Sequence, residues 1–216
     1  MPGKTSLLIQ NLCCIRGERN LFSLLNYELH AGQCLHLSGA NGSGKTSLLR
    51  ILCGLSQADS GSVQWGDKNL QQSQTFFSNS AYIGHKDALK NELTAIENLR
   101  FHQQLVETVS EQKLDDCLAQ MQILECADLS AQKLSFGQRR RLSFAKLLLH
   151  NYSLWLLDEP FTGIDANGRI LIEALCEHHL SNGGMIVLTH HQDLQNSSLA
   201  QYLRFLELGQ AGEHYA

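Results

Sequence analysis

The apolar positions of the chain change period several times, and each change marks an element. Leu25, Tyr27 and Leu29 alternate with polar neighbours, the spacing of a half-buried strand, and Thr5 to Asn11 predicts an edge strand ahead of it. After an Ala31-Gly32 turn, Cys34 to Leu37 is a central strand, and Thr46 to Leu55 is helical in spacing. Asp59-Ser60-Gly61 breaks the pattern, Ser62 to Trp65 predicts a short strand, Gly66-Asp67 turns the chain, and Ser80 to Gly84 predicts another strand. The character then becomes helical to about Leu149. Asn91 to Leu105 carries Leu93, Ile96 and Leu99 at helical spacing, and Ser110 to Met121 carries Leu114, Leu118 and Met121. Leu154 to Leu157 is wholly apolar, Ala166 to Leu180 predicts a helix closed by Gly183-Gly184, and strands follow at Met185 to Thr189 and Tyr202 to Leu208. The pattern predicts a single α/β domain over 1–216 with a helical subdomain inserted at about 87–150.

Composition narrows the class. At 216 residues and 43% hydrophobic, the chain can bury a sizeable core. A formal net charge of -4 provides no basic field for a general nucleic-acid binder. The seven cysteines are scattered without a C-x-x-C pair, which predicts reduced thiols in a cytosol. The N-terminal apolar run is too short for a signal peptide, and no window has the apolar length to cross a bilayer. Work at a membrane would therefore need a spanning partner.

Three segments carry candidate chemistry. Gly39-Ala40-Asn41-Gly42-Ser43-Gly44-Lys45-Thr46, followed by Ser47, fits the phosphate-loop pattern G-x-x-x-x-G-K-[ST] between a strand and a helix. Glycines there let successive amides turn inward on one anion, and the helix adds the positive end of its dipole. Lys45 would reach the β- and γ-phosphates, and Thr46 would ligate Mg²⁺. The apolar strand ending in Asp158-Glu159 places two carboxylates where a parallel sheet exposes its strand tips. Asp158 would support the metal and Glu159 polarise the attacking water; the plain alternative is an acidic turn after a core strand. Leu134-Ser135-Phe136-Gly137-Gln138 opens a helix, with Ser135 as its cap and its first amides as a further anion site, followed by an arginine run that in isolation reads as solvated.

In this order the segments resemble the nucleotide-binding subunits of ABC (ATP-binding cassette) transporters, over roughly Thr5 to Leu208. The resemblance implies a phosphate-loop NTPase core with a mixed sheet, an N-terminal antiparallel β part and the inserted α-helical subdomain. It implies ATP with Mg²⁺, and a head-to-tail homodimer on ATP binding in which Ser135, Gly137 and Gln138 meet the γ-phosphate bound by a partner chain. Phe161 to Asp165 resembles the family's D-loop, with Asp165 the matching acid. The switch histidine falls at His190-His191; the register of related sequences favours His191, followed by Gln192, as the catalytic one. Arg16 stands where most members stack an aromatic ring on adenine, and a planar guanidinium can stack too. His85 replaces the usual glutamine after the Tyr82-Ile83 strand, and Phe136 replaces a glycine of the signature.

His85 to Ala95, Glu97 to Phe101, Leu154 to Thr162 and Gly183 to Leu194 look like one subgroup, the CcmA family of haem-exporter ATPases of bacterial cytochrome c maturation. That likeness implies integral membrane permease partners, CcmB- and CcmC-like, and a peripheral place on the cytoplasmic face of the inner membrane. It also implies that haem is handled by the partners and not bound directly by this chain. The helix expected after His85, especially Asp87 to Leu93, is where docking to a membrane subunit is expected. An ABC ATPase serving another substrate is the alternative.

Overall fold

The structure is a computed structural model describing residues 6–66, 68–69, 74–103, 109–191 and 194–209. Thr5, Asp67, Leu105 and Gln192, which figure in the expectations above, lie outside them.

Two sheets form. Strands β1 (Leu7–Arg16), β2 (Arg19–Leu29), β4 (Ser60–Trp65) and β5 (Lys68–Asn69) make an antiparallel sheet in the order β2-β1-β4-β5. Strands β3 (Cys34–Ser38), β6 (Ser80–Ile83), β7 (Leu154–Asp158), β8 (Met185–Thr189) and β9 (Leu203–Glu207) make a parallel sheet in the order β6-β7-β8-β3-β9. The antiparallel and parallel pairings are thus segregated into two sheets.

The long apolar runs of β7 and β8 follow from burial on both faces, which a covered parallel sheet imposes. Alternation decides which core each residue joins. Trp155, Leu157, Ile186 and Leu188 pack with Leu99, Leu114, Leu142 and Ile172 of the helices. Leu154, Leu156, Met185 and Val187 face the other way, into a core with Leu48, Leu49 and Leu52 of helix α1 (Lys45–Leu52) and Ile9, Leu25 and Val63 of the antiparallel sheet. Each of these side chains contributes about 1.5–3 kcal/mol by leaving water.

The remaining helices are α2 (Gln74–Asn79), α3 (Ala95–Gln103), α4 (Glu111–Gln120), α5 (Phe136–Ala145) and α6 (Ala166–Ser181). None of the helices in the described residues is long and apolar enough to cross a membrane.

Two expectations change. The first strand is not an edge, because it pairs with β2 on one side and β4 on the other. The segment after His85 is not a helix: residues 87–90 have no regular structure, and α3 starts at Ala95. Thr94 stops it from starting earlier by capping it. Its Oγ1 accepts the Glu97 amide at 3.2 Å, and the Glu97 carboxylate accepts the Thr94 amide at 2.8 Å. Asn98 then ties the preceding loop down, accepting from the Lys90 amide and donating to the Lys90, Leu93 and Thr94 carbonyls.

Candidate nucleotide site

The parallel register brings the strand tips together. Leu37 pairs with Thr189, and Thr189 with Asp158, so β3, β8 and β7 end side by side where the phosphate loop leaves β3. Within the loop Gly39 has φ 132, and a Cβ there would strike the Leu208 carbonyl oxygen, so only glycine lets the loop pass so close to the segment just after β9. Gly44, at φ 104, is the N-cap of α1. Lys45 folds over the loop, its Nζ donating to the carbonyls of Gly39 at 2.7 Å and Ala40 at 3.0 Å. Ser43 Oγ is buried without a hydrogen-bond partner.

Across from the loop, Asp158 is buried and joined to two hydroxyls. Thr46 Oγ1 lies 3.1 Å from its Oδ2, and Thr189 Oγ1 donates to its Oδ1 at 2.7 Å. Among the described residues no basic side chain forms an ion pair with this carboxylate.

Glu159 is the next residue, and its backbone is left-handed, φ 53. For a residue with a Cβ that conformation costs roughly 1–2 kcal/mol. It is held by neighbours: the Thr189 hydroxyl accepts its amide at 2.9 Å, and Arg140 Nη2 donates to its carbonyl at 2.9 Å. The turn aims the carboxylate at Thr162 Oγ1, which donates at 3.2 Å, and at His191 Nε2, 3.1 Å away. His190 is inside instead. Its Nδ1 lies 3.6 Å from Glu159, beyond hydrogen-bond range, and its ring packs edge-on against Phe161. Burial lowers its pKa, disfavouring the charged ring, against the opposing pull of Glu159.

A cavity of about 460 Å³ opens between these groups, lined by Arg16, Leu21, Asn41, Gly42, Gly44, Lys45, Thr46, Ser47, His85, Asp158, Glu159, Thr189 and His191. Most of the expected site residues therefore meet in one place, and of the two histidines it is His191 that faces it. Gly39, Ala40 and Ser43 form the loop beneath. Arg16 sits at the rim, its guanidinium donating to the Ile15 carbonyl at 2.9 Å with Asp59 3.8 Å away.

Besides the three loop residues beneath it, four expected residues do not line this cavity. Ser135 caps α5, its Oγ accepting the Gln138 amide at 3.2 Å while Gln138 Oε1 accepts the Ser135 amide at 2.8 Å. Gln138 also donates to Cys126 Sγ at 3.3 Å, and the first turn between them holds Gly137. Asp165 caps α6 by accepting the Gly168 amide at 2.8 Å.

Two residues went unseen in the sequence. Thr189 looked like the end of an apolar strand, and nothing local shows that its hydroxyl bridges Asp158 and Glu159. Arg140 looked like part of a solvated arginine run, yet it is 2% exposed. Its signal was helical spacing: Arg140 stands four residues before the buried Phe144, on the same face of α5.

A phosphate loop facing a buried strand-tip carboxylate, with a separately capped Ser-x-Gly-Gln helix, defines a nucleotide-binding cassette. The sequence profile of the ABC transporter family matches residues 22–162, and the chain belongs to that family as an ATP-hydrolysing subunit. It is 43% identical, over 87% of its length and 93% of the relative's, to the Cytochrome c biogenesis ATP-binding export protein CcmA of Aliivibrio fischeri. The protein of the same name from Methylococcus capsulatus is 44% identical over 87% of this chain and 92% of its own. Among solved structures, a nucleotide-free ATP-binding cassette from an ABC transporter superposes with a TM-score of 0.78 at 20% identity, covering 95% of this chain and 89% of that one. An ATP-binding subunit of an ABC transporter gives 0.81 at 22% identity, over 94% and 85%. These two likenesses show the fold.

Proposed function

We propose that this chain is the ATPase subunit that powers the export step of cytochrome c biogenesis, working with CcmB- and CcmC-like membrane subunits at the cytoplasmic face of a bacterial inner membrane. The pairing of Thr46 Oγ1 with the buried Asp158 carboxylate carries the ATPase part of this reading. The biogenesis role rests on likeness to the CcmA relatives over nearly the whole chain. Haem is assigned to the membrane partners. An ABC ATPase serving another substrate remains the alternative, and the membrane partners would distinguish them.

The donor set fits Mg²⁺, a hard cation that takes oxygen ligands and keeps several waters beside substrate phosphates. Thr46 and Asp158 would hold it, and it would neutralise charge on the β- and γ-phosphates. The other roles belong to the chain's own groups. The amides of residues 39–47 and the start of α1 cradle the phosphates, and the Ser43 hydroxyl, otherwise unsatisfied, turns to them. Lys45 exchanges the Gly39 and Ala40 carbonyls for phosphate oxygens. Glu159, oriented by Thr162 and His191, accepts a hydrogen bond from the attacking water, and His191 contacts the γ-phosphate. His85 lines the same cavity. Arg16 offers its guanidinium plane to the base.

Ser135, Gly137 and Gln138 act on a second copy in a head-to-tail homodimer, with Asp165 near the same interface. What supports this is that Ser135, Gly137 and Gln138 lie outside their own chain's cavity, at the start of α5 beside the exposed Phe136. The segment 87–150 is taken as the transporter-facing insert of one domain, 1–216.

Complementation tests the whole. In a bacterium lacking its own cytochrome c maturation ATPase, this chain should restore c-type cytochromes. Its Glu159→Gln variant should bind ATP normally and restore none, with turnover down about 10²–10⁴-fold as for loss of a general base. A well-expressed wild-type chain that restores nothing would remove the biogenesis role. Normal turnover in the glutamine variant would remove the assignment of the base.

A further inference from the structure

Among the described residues Arg140 is the largest of the fully buried side chains, and its guanidinium is spent on the main chain around the reacting carboxylate. Nη2 donates to the carbonyls of Asp158 at 3.0 Å and Glu159 at 2.9 Å, and Nε to that of Pro160 at 3.3 Å. Nη1 donates to the Gly84 carbonyl at 2.9 Å and lies 3.6 Å from Asp87 Oδ1. The second Asp87 oxygen is 3.5 Å from Arg139. One planar group thus grips three consecutive carbonyls of the turn that carries Glu159 and, on its other side, the two residues that flank His85-Lys86.

The helix bearing this guanidinium is the one capped by Ser135. Arg140 stands five positions beyond the cap, a rise of about 7.5 Å along a rigid rod. Glu159 depends on outside support because its backbone is left-handed. Of the hydrogen bonds that hold that backbone, the one to its amide comes from Thr189 and stays within the sheet. Its carbonyl accepts from the Thr162 amide at 3.3 Å, within the same turn, and from Arg140 at 2.9 Å, which belongs to the helix that begins with the Ser-x-Gly-Gln segment.

The geometry points to Arg140 as a positioning residue: it holds Glu159 in its strained turn and ties that turn to the Ser135 helix and the 84–87 segment. This rests on the role proposed for Glu159 above. A shift of α5 or of the 84–87 segment, such as ordering of Ser135 or His85 on a nucleotide, is passed through one guanidinium to the carboxylate that orients water. Arg140 does not line the cavity, so its loss acts on the chemical step and leaves the phosphate cradle as it was. Lysine cannot substitute, since a single ammonium on a flexible stem cannot span the fork of carbonyls.

The test uses the full chain with Arg140→Lys, Glu159→Gln and the double variant, measuring kcat and KM for ATP and the dissociation constant of a fluorescent ATP analogue. Arg140→Lys should lower kcat 10- to 100-fold with KM and the dissociation constant within about twofold of wild type. In the Glu159→Gln background the same change should lower the residual rate less than twofold, because the carboxylate it positions is gone. Arg140→Gln, which removes the buried charge, takes the place of the lysine variant if that does not fold, and is read in the same way. An unchanged kcat, a loss of nucleotide affinity in step with kcat, or an undiminished effect in the double variant would each overturn the inference. Normal turnover in Glu159→Gln alone would instead remove the functional reading beneath it.

Discussion

Replacing Thr189 by valine keeps the shape of a side chain that is 1% exposed and removes only its hydroxyl. Two bonds go with it. The bond to Asp158 Oδ1, 2.7 Å long and made to a charged acceptor, contributes about 1.5–3 kcal/mol. The Glu159 amide, which Thr189 Oγ1 accepts at 2.9 Å, loses its acceptor at a cost of about 1–3 kcal/mol. Thr46 Oγ1 still reaches the Asp158 carboxylate, so the lower half of the combined range applies, about 3 kcal/mol. For a chain of this size that is a fall in Tm of about 6–12 °C. Turnover should fall as well, by about tenfold or more, because the amide bond helps to hold the left-handed turn of Glu159. Urea denaturation and ATP turnover of the purified chain measure both, with Thr189→Ser as the control. Serine keeps both bonds and loses a methyl, about 0.8 kcal/mol. The reasoning is refuted if valine lies within 0.5 kcal/mol of wild type, on the scale of an ordinary surface change, or if serine loses as much as valine.

Gly163 has φ 71, and a Cβ there would strike the Phe136 ring. Gly163→Ala should lose about 2–4 kcal/mol in urea denaturation, from backbone strain plus overpacking. Adding Phe136→Ala should recover only the overpacking part; full recovery or none would be inconsistent with this geometry. His179 stacks on Trp155 at 3.9 Å with its Nε2 3.2 Å from the Met185 carbonyl oxygen, and burial pushes its pKa from 6.5 down to about 4. The folded state then binds fewer protons than the unfolded one between those values, so this contribution to stability is complete above 6.5 and is lost as the pH falls towards 4. His179→Phe should flatten the slope of stability against pH in that window, to which half-buried His102, also pushed to about 4, and His190 contribute as well. An unaltered slope would contradict the assignment. Arg16→Ala should raise the dissociation constants of ATP and GTP several-fold, as loss of about 1 kcal/mol of stacking requires, and unchanged constants would leave Arg16 no part in holding the base.

What the sequence could determine is what neighbours along the chain determine. The phosphate loop was legible because its function lies in consecutive amides, in glycines that permit their dihedrals and in a helix that starts at once. The unbroken apolar runs of β7 and β8 announced strands covered on both faces, and Ser135 announced a cap that the structure closes with Gln138 as a reciprocal pair. Thr94 and Glu97 spell the same kind of cap, and weighing them would have set the start of α3 correctly. Tertiary structure alone decided the rest. Thr46 and Asp158 meet across 112 positions of sequence because parallel register aligns three strand tips. That register also turns the Thr189 hydroxyl from a strand end into a bridge between carboxylate and amide. Arg140 leaves a run of solvated-looking arginines because the turn after β7 presents it with unsatisfied carbonyls, and β1 becomes an inner strand because β4 returns to its free edge. Local composition fixes dihedrals and burial tendency, whereas which polar groups face each other depends on which distant strands and helices pack together.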